Sequence, residues 1–209
     1  MTASSHTVAA TSTKVAIVVF DGFNELDAFI PLSVLNRLST SGWKAEITGP
    51  SARLTSMNGV TLDAQQPLEF ANEADVVLFG SGLYTRAIAE NSAIIDRLAL
   101  DPVRQLIGSQ CSGALLLARL GLLADMPACT DLKTKPWLIE AGVRVTDSAF
   151  HARGPVATAG GCLASLYLAT WVMLKREGLA ATTQALQQVA PVGEGDYVAG
   201  LIRTVKPFI

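Results

Sequence analysis

The chain has 209 residues, half of them apolar, and a formal net charge of −2, which is enough apolar surface to bury a full core in one domain. No basic block interrupts the near-neutral balance, so nucleic acid is not an expected partner. Mean hydropathy is +0.37, but the most apolar helical stretch, Leu163 to Leu174, is too short to span a bilayer, so no membrane partner is expected either.

Met1 to Thr13 is rich in Ser, Thr and Ala and lacks the apolar segment of a signal peptide, so it reads as a disordered leader to a domain over 14–209. Lys14 to Phe20 is a continuous, largely β-branched run, the pattern of a strand buried on both faces. Asp21-Gly22-Phe23-Asn24 makes a turn, and Leu26 to Leu38 has near-helical apolar spacing, with Pro31 expected at a first turn or a kink. Ala45 to Thr48 is a second short strand. Arg53 to Leu62 alternates around Asn58-Gly59, a hairpin signal.

Asp75 to Phe79 is another buried strand, ending in Gly80-Ser81-Gly82, and a helix is expected from about Tyr84 to Leu100. Leu106 to Gln110 then leads into Cys111-Ser112-Gly113 and an apolar helix that Gly121 can close with a left-handed residue. This is a strand, a sharp turn and a helix, with Cys111 at the turn. A thiol there faces free backbone N–H groups and the positive end of the helix dipole, which favour thiolate and can hold a developing anion.

Beyond Gly121, Ala128 to Thr130, Val143 to Val145 and Phe150 to Ala152 read as short strands, and Pro136 to Ala141 as one or two helical turns. Ala157-Thr158-Ala159-Gly160-Gly161 leads into an apolar helix from about Cys162 to Lys175. A last helix over Ala180 to Gln188 precedes a tail containing Pro and Gly.

Strands alternating with helices imply an α/β sandwich with a mostly parallel sheet. Ligands in such sheets bind beyond the carboxyl ends of the strands, where the loops Asp21–Asp27, Gly80–Gly82 and Cys111–Gly113 converge. The three cysteines, Cys111, Cys129 and Cys162, are an odd number without zinc-ligand spacing. They read as free thiols in a reducing cytoplasm, with no metal expected.

Taken together, the opening Val15-to-Phe20 strand, Glu25-Leu26-Asp27-Ala28-Phe29-Ile30-Pro31, Gly80-Ser81-Gly82, Gln110-Cys111-Ser112-Gly113 and Ala157-to-Gly161 resemble the DJ-1/PfpI superfamily. The resemblance implies a flavodoxin-like three-layer sandwich, a homodimer, a small-molecule substrate, no cofactor, and the elbow cysteine as nucleophile. The acid four residues before the proline is the partner of that cysteine; glutamate in many members, it is aspartate in the isocyanide hydratases and Asp27 here. Leu186-Gln187-Gln188-Val189-Ala190-Pro191 also looks like the segment after the last helix of isocyanide hydratases, the nearest family on these residues. Three departures stand out: Cys111-Ser112 replaces Cys-Thr, Gly80-Ser81-Gly82 replaces Pro-Gly-Gly, and Cys129-Thr130-Asp131 replaces Thr-Thr-His. The last puts Asp131 where hydrolase-like members carry an assisting histidine. His151 reads as surface or structural.

On this resemblance Cys111 attacks the terminal carbon of an isocyanide, and Asp27, held protonated by the neighbouring thiolate, supplies the proton and then activates water. Ser112 orients the carboxyl or the water, and backbone N–H groups of Gly82, Ser112 and Gly113 form the oxyanion site. Glu25 reads as surface, Cys129 and Cys162 as packing residues, and Phe23, Leu83, Tyr84 and Trp137 as apolar lining. Two other readings stand beside this one. One is a glyoxalase or deglycase acting on 2-oxoaldehydes; the other is a redox sensor whose cysteine oxidises to sulfinate. The ligand domain of a transcription regulator would need an appended helix-turn-helix, for which the sequence shows no pattern.

Overall fold

In the computed structural model, which describes residues 12–209, the chain folds around a seven-stranded sheet. Its strands are β1 (Thr13–Val18), β2 (Trp43–Gly49), β5 (Gln66–Pro67), β6 (Val76–Phe79), β7 (Leu106–Gln110), β8 (Phe150–Arg153) and β9 (Val156–Ala159), in the spatial order β5-β2-β1-β6-β7-β9-β8. All neighbours are parallel except β8, which runs antiparallel to β9 at the edge. The leader expected over Met1–Thr13 lies outside the described residues but for its end. Thr13 is already the first residue of β1, paired with Trp43.

Alternation along β1 sends side chains into two cores, which is what makes this a three-layer flavodoxin-like sandwich. Val15, Ile17 and Val19 face α1 (Glu25–Leu35), α7 (Ser165–Gln187) and α8 (Gly195–Val205), packing with Val34, Leu168, Trp171 and Leu201. Ala16, Val18 and Phe20 face the other layer, α2 (Phe70–Glu73), α3 (Thr85–Glu90), α4 (Ser92–Ile95), α5 (Ala114–Arg119) and α6 (Lys135–Glu140). The Asn58-Gly59 hairpin forms from β3 (Arg53–Thr55) and β4 (Thr61–Asp63), with Gly59 at φ +85°.

Several expectations are corrected. The helix expected from Tyr84 to Leu100 is two short helices, because Asn91 is extended and its side chain caps α4 by accepting from Ala93 N. The two helices expected on either side of residue 178 are present within α7, which Gly178 breaks with a non-helical φ of +76° and ψ of −174°. The expected tail contains α8, whose Val198, Leu201 and Val205 are buried at helical spacing. Ala128 and Val145 form a single parallel bridge instead of two strands. Among the described residues no helix is long and apolar enough to cross a membrane.

Candidate active site

Four strand ends meet at one edge of the sheet, and each delivers one part of the site. From β1 the chain turns through Gly22 (φ +75°) to Asn24, whose Oδ1 caps α1 by accepting from Leu26 N at 3.0 Å. An asparagine N-cap satisfies a free helical donor and fixes the first turn. It therefore sets Asp27, which is only 2% exposed. From β6 comes Gly80-Ser81-Gly82, where Ser81 N donates to Asp27 Oδ2 at 3.3 Å. The other oxygen, Oδ1, is buried and has no hydrogen-bond partner among the described residues.

Cys111 follows β7 at φ +47°, alone among described non-glycine residues in having positive φ, and it is 3% exposed. An L residue in this conformation is strained and is held by its surroundings. Here the Thr130 hydroxyl donates to Cys111 O at 2.8 Å, and the first helical bonds run from Ala114 N to Cys111 O and Ser112 O. The N–H groups of Ser112 and Gly113 precede those bonds, as expected for an oxyanion site. Glycine at 113 follows from close approach: a Cβ there would lie 2.7 Å from Phe79 O and 2.9 Å from Gly80 O. Gly113→Ala should therefore push the elbow off β6 and cost about 1–3 kcal/mol with a loss of turnover. Parental thermal unfolding and parental rate in that variant would show slack at this contact.

The fourth strand end supplies a group the sequence reading placed elsewhere. After β9, Gly161 (φ +88°) turns the chain so that Cys162 comes to the site. Sγ of Cys162, Sγ of Cys111 and a carboxyl oxygen of Asp27 all lie within 4.8 Å of one another. Asn24 Nδ2 donates to Cys162 Sγ at 3.1 Å, and Gln110 Nε2 donates to Gly161 O and sits 3.8 Å from Cys111 Sγ. Cys162 is half-buried and is not a packing residue; Cys129, fully buried, is one. Asn24 and Cys162 lie outside the family motifs, and Gln110 and Thr130 lie within them without an assigned role. The one available signal for Cys162 was its place directly after Ala157-to-Gly161, at a fourth strand end.

A cleft of about 170 Å³ reaches Cys111, bounded by Asn24, Ser81, Gly82, Leu83, Trp137 and Cys162. Leu83 and Trp137 line it as expected. Phe23 is instead core at 1% exposure, and Tyr84, 55% exposed, packs beside Gly22. The Ser112 hydroxyl donates to Thr85 Oγ1 at 2.9 Å and accepts from Gly82 N at 3.4 Å. These bonds tie the elbow to the Gly82 loop, and Gly82 N–H is shared with the Ser112 hydroxyl. Glu25 accepts from Ser56 and Asn58 on the β3–β4 hairpin, which holds its carboxyl below the usual range, and it does not line the cleft at Cys111. Asp131 also borders the cleft, its Oδ1 accepting from Lys133 N and Thr134 N at 3.0 Å. His151 stacks edge-on against Phe208 on β8, apart from the cleft.

Electrostatics depart from the expected thiolate. Burial first, and then the Asp27 carboxylate beside it, push the Cys111 thiol far up. Burial also pushes Asp27 up to about 6, against its bonds from Ser81. The rise at Asp27 thus comes from desolvation and not from a neighbouring thiolate. The two groups sit in one dry pocket, where the charge on Asp27 disfavours ionisation of Cys111.

The family model of the DJ-1/PfpI family matches residues 13–187. Among solved structures, a ThiJ/PfpI family protein from Pseudomonas syringae is similar, at 20% identity and TM-score 0.77, over 94% of this chain and 87% of that one. DJ-1 from Schizosaccharomyces pombe superposes with TM-score 0.74 at 14% identity, over 86% of this chain and 100% of its own. DJ-1beta from Drosophila melanogaster does so with TM-score 0.72 at 21% identity, over 85% and 97%. No curated protein matches the chain. With a family model spanning all but the last helix of the described fold, and an elbow cysteine beside a buried acid, the chain belongs to the DJ-1/PfpI family.

Proposed function

We propose that the protein hydrates isocyanides to N-substituted formamides through a covalent adduct on Cys111. The observation that carries this reading is the buried Cys111–Asp27 pair, whose carboxyl has one unpartnered oxygen and a pKa raised to about 6. An isocyanide carbon needs a nucleophile and a proton delivered in turn, and this pair holds both. As Cys111 sulfur attacks the terminal carbon, its proton passes to Asp27 and on to that carbon, giving a thioimidate. Water then adds across the carbon–nitrogen double bond; Asp27 takes its proton and hands it to nitrogen. Collapse expels the Cys111 sulfur, which recovers the hydroxyl proton through Asp27. The sum is one isocyanide plus one water to one formamide.

Among the described residues no histidine lines the cleft, which favours this reading over 2-oxoaldehyde chemistry assisted by a histidine. A turnover assay offering an aryl isocyanide and methylglyoxal side by side tests it. Formamide is the expected product; lactate selects the glyoxalase class, and neither selects a sensor. Homodimerisation belongs to the same reading. Light scattering is expected to give twice the chain mass at micromolar concentration, and a monomer would remove the expectation.

A further inference from the structure

The fold gathers three donor atoms that the sequence scatters over residues 27, 111 and 162, with nothing in their spacing to announce a metal. We propose that Asp27, Cys111 and Cys162 bind a thiophilic divalent cation of the zinc class, with the fourth tetrahedral position facing the cleft. In a tetrahedral zinc site with bonds of about 2.0–2.3 Å, ligand atoms stand about 3.5–3.8 Å apart. The three donors lie within 4.8 Å of one another, so closing on an ion takes a movement of about 1 Å or less.

Each donor is already held by an outer partner. Ser81 N–H binds Asp27 Oδ2, while Oδ1 is buried with no hydrogen-bond partner among the described residues, so the carboxyl keeps an uncommitted oxygen. Asn24 donates to Cys162 Sγ, and its own orientation is fixed by capping α1. Gln110 reaches Cys111 Sγ from a side chain anchored on Gly161 O. Outer donors of this kind orient ligands and are half of a metal site's design. Two sulfurs and one oxygen are a donor set for a borderline-soft ion, not for magnesium or calcium. Without an ion, three acidic groups in one dry pocket repel one another as they ionise; a dication reverses that repulsion and releases protons on binding. The cation and an electrophilic substrate would compete for the same Cys111 sulfur, so the loaded protein is expected to be inactive.

The test needs no substrate. Reduced, chelator-treated protein is titrated with Cd²⁺ as an optical probe, and with Zn²⁺ in competition with a chromophoric chelator. The expected result is sulfur-to-cadmium charge-transfer absorption that saturates at one equivalent with the intensity of two thiolates. Cys162→Ser should halve that intensity, and Cys129→Ser should leave it unchanged. Zn²⁺ affinity should fall in both Cys162→Ser and Asp27→Asn by at least the roughly 10–100-fold that losing an outer partner costs. Absence of the band in the parent chain would overturn the proposal. So would a band and an affinity that Cys162→Ser does not alter. Because the readout is spectroscopic, failure here leaves isocyanide hydration standing, and failure of hydration leaves the band to be measured.

Discussion

Cys111→Ser is expected to lose isocyanide turnover by at least about 10⁴-fold, as when the nucleophile of a covalent enzyme is removed. The fold should remain, since serine is close in size and the φ of +47° at this position strains either residue alike. Unfolding free energy should move by no more than about 1 kcal/mol. Cys129→Ser should keep its turnover, because Cys129 is sealed in the core with its amide on Thr158 Oγ1. Parallel assays of product formation and chemical denaturation check both halves. A Cys111→Ser protein with parental turnover would end the covalent account.

Asp27→Asn should slow turnover by about 10²–10⁴-fold, the usual worth of a positioned acid–base group, and should at the same time stabilise the fold. The sign follows from the raised pKa. A carboxyl at about 6 in the folded chain, against 3.8 for the free group, is more easily kept neutral in the native state than in the unfolded one. Native stability is therefore highest below the free value and falls as pH rises through about 6. Asparagine cannot ionise, so the variant should gain about 1–3 kcal/mol near neutral pH and lose that pH dependence. In the parent, freed of metal by a chelator, kcat/KM should rise through about pH 6 as Asp27 becomes able to accept the Cys111 proton. Glu25→Gln, tied to the hairpin, should show the parental profile. If it were Glu25→Gln that failed while Asp27→Asn turned over normally, the acid would be two residues away from where it is placed.

What the sequence made legible, and what it hid, divides along physical lines. Strands buried on both faces, such as Val15 to Phe20 and Asp75 to Phe79, announce themselves by unbroken apolar runs, and the Asn58-Gly59 turn by its chemistry. Cys111 could be found because it sits at a strand end followed by a helix start; Asp27 could be found only through the family resemblance, as the acid four residues before Pro31. Cys162 follows a strand in the same way, yet an apolar helix behind it made packing the simpler reading. Only the left-handed Gly161 brings its sulfur back to Cys111. Ser112 shows another limit: its hydroxyl is engaged by Thr85, 27 residues away along the chain, a partner that no local pattern names. The preference of a helix N-terminus for thiolate was likewise outweighed, because local dipoles are small beside the burial that only a packed fold supplies. The missed α8 had a clear helical period in Val198, Leu201 and Val205, masked by the glycines and prolines around it.

The covalent step can be seen directly. An aryl isocyanide is mixed with the parent protein under single-turnover conditions, quenched, and followed by intact-mass and peptide mass spectrometry. The account predicts a transient gain of one isocyanide mass, confined to the peptide carrying Cys111, that decays as formamide appears. Formamide released with no adduct on Cys111, or an adduct carried instead by Cys162, would contradict it.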